Sequence, residues 1–196
     1  MSIDAPVLLA IFVGGKSSRM GTPKGLLELP GASEPIIDAL VRSGRQAGFE
    51  PVLVGDAMPY AQLAAGVPRI DDDPLGAGPL AGLQAAVRHA SQSGFSRLIV
   101  VACDMPYVTS RTLAYIAAHP SPAPVLAARR GHDSPWEPML ARYDTARLAP
   151  VLDEAIAGGL RSFQQLFALL EVEALPLTSG ITRALEDWDT PEDLPR

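Results

Sequence analysis

The sequence predicts an α/β fold in which a mostly parallel sheet is covered by helices on both faces. Two runs, Val7–Val13 and Arg97–Ala102, are short, continuously apolar and rich in β-branched residues, which is typical of strands buried on both faces. Between and after these runs, apolar residues recur at helical spacing. Because strands that alternate with helices favour parallel pairing through helical crossovers, this alternation indicates the fold class.

The composition indicates a single domain that spans residues 1–196. The chain has 196 residues, 47% of them hydrophobic, and this length suffices to bury a proper core. A net charge of −6 and the lack of a membrane-length apolar run lead us to expect neither nucleic-acid nor membrane binding. The single cysteine, Cys103, excludes a disulfide framework. The apolar start follows Asp4 and ends in a glycine pair, unlike a secretory signal, so we expect a cytoplasmic protein.

Helical and strand patterns alternate through the first half of the chain. Ile36, Ile37 and Leu40 recur at helical spacing before Gly48 ends the pattern, and Pro79 suits the first turn of a later helix. The predicted strands here are Val7–Val13, Val52–Val54, Arg69–Asp71 and Arg97–Ala102, and the predicted helices are Pro35–Ala47, Tyr60–Ala65 and Leu80–Ala90.

The same alternation continues in the second half, with weaker strand patterns. Helices are predicted over Ser110–His119, Ala146–Ala157 and Ser162–Leu170, and strands over Ala123–Ala128, Glu137–Arg142 and Val172–Leu175. The segment Leu185–Trp188 and a helix start at Thr190–Asp193 follow. Asp187 and Asp189 alternate around Trp188, so on a strand both would face the same side.

Several polar residues come directly after predicted strands. In open α/β sheets, ligands bind beyond the carboxyl ends of the strands. This rule places Gly14-Gly15, Asp56, the run Asp71–Asp73 and Asp104 along one edge of the sheet. An acidic run such as Asp71–Asp73 is usually a solvated turn, and we interpret at least two of its members so.

The loop after the first strand combines glycines with cations. Gly14 and Gly15 allow a sharp turn whose backbone amides can form an anion-binding nest. Arg19 and Lys24 add a guanidinium fork and a point charge, two complementary ways to hold phosphate. We interpret the loop as a cradle for a nucleotide triphosphate. A simple turn with solvated cations remains the alternative that this stretch alone leaves open.

Two familiar phosphate-binding patterns fail here. A Walker loop ending in Gly15-Lys16-Ser17 needs a glycine at position 10, where Ala10 stands. Gly76-Ala77-Gly78 followed by Gly82 resembles a dinucleotide fingerprint, but its last spacing is one residue too long. The failed fingerprint disfavours a dinucleotide-dependent oxidoreductase.

Asp104 is the acid that most strongly suggests a metal site. It follows the apolar run Arg97–Ala102 at the expected edge, where a carboxylate can hold Mg²⁺ together with substrate phosphates. A helix cap or turn is the alternative role. Asp187 and Asp189 either supply a second ligand or flank a terminus. The carboxylate of Asp104 would raise the pKa of Cys103 beside it, which makes that thiol a poor nucleophile.

Arginines gather in two loops of the second half. Arg129, Arg130 and His132 lie near Trp136, and Arg161 lies in the turn before Ser162. Such a cluster either binds an anionic substrate or forms a solvated loop. We expect some of these cations to line a groove for an anionic acceptor, with Arg161 the foremost candidate because helix amides are free nearby.

These motifs together resemble the nucleotidyltransferases that activate the molybdenum cofactor, most closely the guanylyltransferases. Residues 14–21, GGKSSRMG, with Lys24 resemble the signature loop of that family, and residues 78–83, GPLAGL, its second motif. Residues 103–106, CDMP, resemble its metal-binding motif, and residues 189–194, DTPEDL, its C-terminal signature. The match spans nearly the whole chain in the right order.

The resemblance implies a Rossmann-like fold of the nucleotide-diphospho-sugar transferase type and a reaction. GMP would pass from GTP to the phosphate of molybdopterin, with Mg²⁺ as cofactor and release of pyrophosphate. Molybdoenzymes and other proteins of cofactor biosynthesis are the implied protein partners. The implied catalytic residues are Arg19, Lys24 and Asp104, and the implied metal ligands are Asp104 and Asp189. The implied nucleotide-binding residues are Phe12, Val13, Gly14, Gly15, Lys24, Gly55, Asp72, Gly78, Pro79 and Leu80.

The sequence departs from the guanylyltransferase pattern at four places. Phe12-Val13 replaces Leu-Ala, which implies a tighter pocket near the base. Pro23 and Asp189 are more similar to the cytidylyl-transferring relatives, and Gly55 replaces an Asn that touches the nucleotide. A cytidylyltransferase of the same family therefore stays open, as does a non-catalytic protein that binds nucleotide or cofactor.

Overall fold

One mixed sheet lies at the centre of the structure, a computed structural model that describes residues 6–13, 22–29, 33–71, 78–131, 133–188 and 193. Within these residues the strands are β1 (Val7–Phe12), β2 (Glu50–Val54), β3 (Arg69–Ile70), β4 (Arg97–Ala102), β5 (Val125–Ala128), β6 (Glu137–Asp144) and β7 (Val172–Ala174). Their spatial order is β3-β2-β1-β4-β6-β5-β7.

Strand β6 runs opposite to the other strands of this sheet. It pairs antiparallel with β4 and β5, whereas the pairs β1–β2, β1–β4, β2–β3 and β5–β7 are parallel. The predicted mostly parallel sheet is therefore confirmed. Because β6 is reversed, its first residue, Glu137, pairs with Ala128 at the end of β5 and lies at the edge where the parallel strands end.

Helices cover both faces of the sheet. They are α1 (Ile36–Gln46), α2 (Pro79–Gln92), α3 (Ser110–Ala118), α4 (Thr145–Ala157), α5 (Phe163–Phe167) and α6 (Ser179–Ala184), and two short 3-10 turns lie at Lys24–Leu26 and Met58–Tyr60. No helix in the described part of the chain is long and apolar enough to cross a membrane.

Strand β1 separates two apolar cores. Its odd-numbered side chains, such as Leu9 and Ile11, pack with α1 and α3, and its even-numbered side chains, such as Leu8 and Phe12, pack with α2 and α4. Every residue of β1 is buried, as the continuous apolar run predicts for a strand covered on both faces. This central position places the carboxyl end of β1 between two packed layers.

Buried Arg142 ties β6 to the end of α3. Its side chain is only 6% exposed. Its Nη1 atom donates hydrogen bonds to the carbonyl oxygens of Ile116, Ala117 and His119 at 3.0, 3.0 and 2.7 Å. Burial, and then the neighbouring Arg97, lowers the pKa of the guanidinium from its usual value. The group supplies the donors that the last carbonyls of a helix lack.

Most predicted elements form, with ends that differ by a few residues, but one predicted helix does not form. The predicted helix Tyr60–Ala65 is a 3-10 turn at Met58–Tyr60 followed by turns, because Ala64 has a φ of +49° and donates its amide to Asp38 Oδ1 at 2.8 Å. The α5 helix ends at Phe167, short of the predicted Leu170.

The region after β7 also differs from its prediction. Helix α6 has no counterpart among the predicted elements; it begins where Thr178 Oγ1 accepts the Ile181 amide at 3.2 Å. Residues 185–188 form no strand, and the Trp188 amide donates to the Asp104 carbonyl. The predicted helix start at 190–192 lies outside the described residues.

Candidate functional site

The carboxyl ends of β1, β2, β3 and β4 form one continuous edge. The Val13 amide donates to the Val54 carbonyl at 2.9 Å, and the Gly55 amide donates to the Ile70 carbonyl at 2.8 Å. The Cys103 amide donates to the Phe12 carbonyl at 3.0 Å. Each first residue beyond a strand thus stays bonded to the last residue of its neighbour. This edge brings the segments before the loop at 14–21 and around Asp104 side by side.

Lys24 and Asp104 form an ion pair above this edge. Lys24 Nζ lies 2.9 Å from Asp104 Oδ2, although the two residues are 80 positions apart in sequence. Their side chains are 18% and 19% exposed, so each keeps only a narrow face toward solvent. A charge-assisted bond in such a partly desolvated place is stronger than the same pair at the open surface.

Buried Tyr60 lies beneath Lys24. The Gly25 amide donates to Tyr60 Oη at 3.4 Å, and Tyr60 Oη lies 3.8 Å from Cys103 Sγ. A Cβ atom on Gly25 would lie 2.8 Å from Tyr60 Cε1, so the ring and the turn fit closely. Sequence reasoning missed Tyr60, which it assigned to a helical pattern. An isolated aromatic residue within a Pro/Ala segment gave no signal for this role.

Cys103 is protonated at neutral pH. Burial first, and then the negative charge of Asp104, raises the pKa of its thiol to about 11. This confirms the prediction that Cys103 is a poor nucleophile, with burial as the larger cause. Burial likewise raises the pKa of the Tyr60 hydroxyl well above its usual value, so both groups stay neutral beneath the ion pair.

The segment after α6 packs against Asp104 from the other side. The Trp188 amide donates to the Asp104 carbonyl at 3.0 Å. The Trp188 ring meets the Tyr107 ring edge-on, with centroids 6.2 Å apart, and the Arg183 guanidinium lies 4.0 Å from the centroid of Tyr107. Asp187 directly precedes Trp188 in this packed segment, while Asp189 lies outside the described residues.

The amino end of α2 reaches the same region beside Arg161. Gly78 has a φ of +82°, which favours glycine, and a Cβ atom there would lie in ordinary contact, 3.4 Å from the Arg161 carbonyl oxygen. Pro79 is the first, exposed residue of the helix. The Leu80 side chain is fully buried, which leaves only its backbone for a ligand.

The arginine-rich loops of the second half continue this edge. Arg129 lies 4.4 Å above the Trp136 ring, and Gln164 brackets the backbone of Trp136, donating to its carbonyl at 2.7 Å and accepting its amide at 3.2 Å. Arg130 donates to Glu137 Oε1 at 3.3 Å and to the Leu185 carbonyl at 2.9 Å. These contacts hold the loop between β5 and β6 against α5 on one side and against the segment after α6 on the other.

The sequence was compared with models of known protein families. A family model described as the MobA-like NTP transferase domain matches residues 9–174. The chain belongs to this family. It is a nucleotidyltransferase, and the predicted family resemblance is confirmed.

Relatives of the MobA-like family match this chain over almost its full length. A probable molybdenum cofactor guanylyltransferase of Opitutus terrae is 31% identical and covers 100% of this chain and 97% of the relative. A molybdenum cofactor guanylyltransferase of Pseudomonas fluorescens is 31% identical, covering 98% and 95%. The solved structure of molybdopterin-guanine dinucleotide biosynthesis protein A from Archaeoglobus fulgidus has a TM-score of 0.72 and 26% identity, covering 94% and 93%.

The predicted site residues divide into three groups in this MobA-like transferase. Lys24, Gly55, Gly78, Pro79 and Asp104 lie at the carboxyl edge. The side chains of Phe12, Val13 and Leu80 are buried in the cores, which supports no direct side-chain contact with a ligand. Gly14, Gly15, Arg19, Asp72, His132 and Asp189 lie outside the described residues.

Two of the predicted acceptor cations are engaged with backbone carbonyls. Arg161 Nη1 donates to the carbonyls of Leu160 and Ile156 at 2.7 and 3.1 Å, at the end of α4. Arg130 is held as described above. Among the described contacts of Arg129, only the stacking on Trp136 is present, so its N–H groups keep more capacity for a ligand. Arg161 is thus held by backbone carbonyls near the end of α4, whereas Arg129 lies on the Trp136 ring.

Proposed function

We propose that this MobA-like transferase moves GMP from GTP to the phosphate of molybdopterin and releases pyrophosphate, with Mg²⁺ as cofactor. The observation that carries the proposal is the ion pair of Lys24 and Asp104 at the carboxyl edge, beside the start of the predicted phosphate loop. The names of the full-length relatives support guanylyl transfer to a molybdenum cofactor.

The donor set around Asp104 fits Mg²⁺ when nucleotide supplies the remaining ligands. The described residues contain no group of three or more His, Cys, Asp or Glu side chains suited to a metal. Mg²⁺ requires only one or two carboxylates when substrate phosphates are present. Asp104 would be one ligand and Asp189 a second. Bound there, the ion would neutralise charge at the α-phosphate.

The chain's own residues would act by position and charge. Lys24 would leave Asp104 to contact the triphosphate and to stabilise the departing pyrophosphate, together with Arg19 and the amides of Gly14 and Gly15. The acceptor phosphate would attack in line. Because a phosphate monoester is already largely ionised near neutral pH, no general base is required. Positioning accounts for most of the rate enhancement in such transfers.

The base would lie between the end of β2 and the start of α2. Guanine presents N1–H and N2–H₂ donors that require an acceptor. The Gly78 carbonyl already accepts the Ala81 amide at 3.1 Å, which favours Asp72 as that acceptor. Cytosine would leave the acceptor unpaired.

We predict that GTP exceeds CTP by roughly ten- to hundredfold in kcat/KM, since an unpaired buried polar group costs about 1–3 kcal/mol. Side-by-side kinetics with the two nucleotides and the same acceptor measure this preference. A preference for CTP would assign the protein to the cytidylyl-transferring branch, and the substitutions at Pro23, Gly55 and Asp189 would then account for it.

The acceptor would lie over the loop between β5 and β6. The Arg129 guanidinium lies 4.4 Å from the centroid of the Trp136 ring, and the Arg161 backbone lies beside Gly78. A guanidinium in contact with an aromatic ring can still donate N–H groups to an anion. Molybdopterin carries the required phosphate.

Pyrophosphate release tests the proposed reaction. The purified protein is incubated with Mg²⁺, molybdopterin and each of the four nucleoside triphosphates in turn. We expect release only when both GTP and acceptor are present. Nucleotide binding without any pyrophosphate release would contradict the proposal and support a non-catalytic binding protein. Asp153→Asn, which changes an exposed acid on α4, serves as a variant with unchanged activity.

A further inference from the structure

Tyr60 connects three segments that meet below the candidate site. Its ring is 3% exposed, and its hydroxyl lies 3.4 Å from the Gly25 amide and 3.8 Å from Cys103 Sγ. Gly25 follows Lys24 directly, and Cys103 precedes Asp104 directly. One buried hydroxyl therefore contacts the immediate neighbours of both members of the ion pair.

The fit between Tyr60 and Gly25 leaves no room for the turn to move inward. A Cβ atom on Gly25 would lie 2.8 Å from Cε1 and 3.2 Å from Cζ of the ring. The ring itself belongs to the apolar core that contains Val13, Ile36 and Leu53. Because protein interiors are close-packed, the ring limits how deep the 3-10 turn at Lys24–Leu26 can lie, and the Tyr60 hydroxyl holds the turn at that limit through the Gly25 amide.

The Asp104 end of the pair is fixed independently. The Cys103 amide bonds to the Phe12 carbonyl at 3.0 Å, and the Trp188 amide bonds to the Asp104 carbonyl at 3.0 Å. With the backbone of Asp104 held in this way, the depth of the Lys24 turn decides whether the ammonium reaches the carboxylate. A displacement of about 1 Å in a catalytic group can cost on the order of a hundredfold in rate.

We propose that Tyr60 is a positioning residue, which holds the Lys24 turn at the depth where the lysine can serve the triphosphate. The proposal rests on the proposed contact between Lys24 and nucleotide triphosphate. It does not depend on which base or which acceptor the protein uses. The hydroxyl acts through the Gly25 amide and the Cys103 thiol, and does not touch substrate.

Tyr143 supplies a matched control. It is also a fully buried tyrosine, and its hydroxyl donates to the Pro138 carbonyl at 2.8 Å, but it lies in the other core, with Leu148 and Phe167. Tyr60→Phe and Tyr143→Phe each remove one buried hydroxyl and keep the ring. The two variants therefore share any general cost to stability and differ in their relation to Lys24.

The test measures binding of inorganic tripolyphosphate and of GTP, each with Mg²⁺, by calorimetry. We expect Tyr60→Phe to weaken both by roughly three- to tenfold, the range for one lost hydrogen bond, and Tyr143→Phe to leave both unchanged. Gly25→Ala should weaken them more, because its methyl group displaces the whole turn. Thermal melts identify any variant that fails to fold.

A double-mutant cycle separates positioning from a purely structural role. In a Lys24→Met background, Tyr60→Phe should cause no further loss of tripolyphosphate affinity, because the lysine that it positions is gone. An equal loss with and without Lys24 would overturn the proposal, as would tripolyphosphate affinity in Tyr60→Phe equal to that of the unmodified protein. Tripolyphosphate binding that follows these expectations without GTP turnover would refute the proposed reaction and leave the role of Tyr60 intact.

Discussion

Lys24 and the arginines of the second half hold their partners in different ways. Lys24 pairs with a carboxylate at 2.9 Å, whereas Arg142 and Arg161 donate to backbone carbonyls and Arg129 lies on an aromatic ring. A carboxylate that loses its cation can bind another cation, but a helix carbonyl that loses its donor stays unsatisfied. The ion pair of Lys24 and Asp104 can therefore open so that each partner binds a ligand, whereas the bonds from arginine to backbone carbonyls stabilise the fold.

Asp104→Ala should have the largest effect on activity. Metal-assisted charge stabilisation is worth several kcal/mol, so we expect transfer to fall by at least about a hundredfold with the fold retained. Pyrophosphate release and circular dichroism measure the two properties, with Asp153→Ala on α4 as the control. Near-normal turnover in Asp104→Ala would remove Asp104 from the proposed mechanism.

Arg142→Met should lower the stability of the fold rather than the catalytic activity. Three carbonyls at the end of α3 would lose their common donor inside the protein, and we expect a loss of about 2–3 kcal/mol in the free energy of unfolding. Urea denaturation measures the loss. Arg147→Met, which changes an exposed arginine on α4, should cost less. Equal stability of Arg142→Met and the unmodified protein would show that the carbonyls find other donors.

Lys24→Met should weaken nucleotide binding by about 1.5–3 kcal/mol, the range for a lost charged hydrogen bond. Lys16→Met removes the same charge nearby and should matter less. Calorimetric titration with GTP compares them. Equal losses in the two variants would contradict the position assigned to Lys24.

The same substitution should strengthen metal binding in the absence of nucleotide. Without the ammonium 2.9 Å away, the Asp104 carboxylate no longer has a competing cation, and Mn²⁺ added alone should bind more tightly. Electron paramagnetic resonance of free Mn²⁺ reports this, and Arg45→Met, at the far end of α1, provides a control for net charge. Unchanged Mn²⁺ affinity would show that the pair does not compete with a metal.

Substitutions in the proposed acceptor site should have the smallest effect on activity. We expect Arg129→Ala to raise the KM for molybdopterin by about fivefold, less than a fully buried charged bond would give, with nucleotide affinity unchanged. Arg161→Ala should contribute less, because its guanidinium serves the end of α4. A double Arg129/Arg161 variant that binds the acceptor as tightly as the unmodified protein would exclude this surface, with Arg88→Ala as the control.

Local patterns predicted the sheet and most helices of this protein. The continuous apolar runs at β1 and β4 required strands buried on both faces, because no exposed strand can present apolar side chains on both sides. The edge where Lys24 and Asp104 lie followed from the parallel order of those strands. The family assignment followed from motifs that keep their order along the chain.

Only the tertiary structure decided which distant residues pack against the motif residues and support them. Nothing near Tyr60 in sequence indicates its contacts with Gly25 and Cys103, which are 35 and 43 positions away. The course of 185–188 likewise depends on Asp104 and Arg130, which lie far earlier in the chain. Sequence periodicity reports which face of an element is buried, whereas the partner of a buried polar group is set by the packing of distant elements against one another.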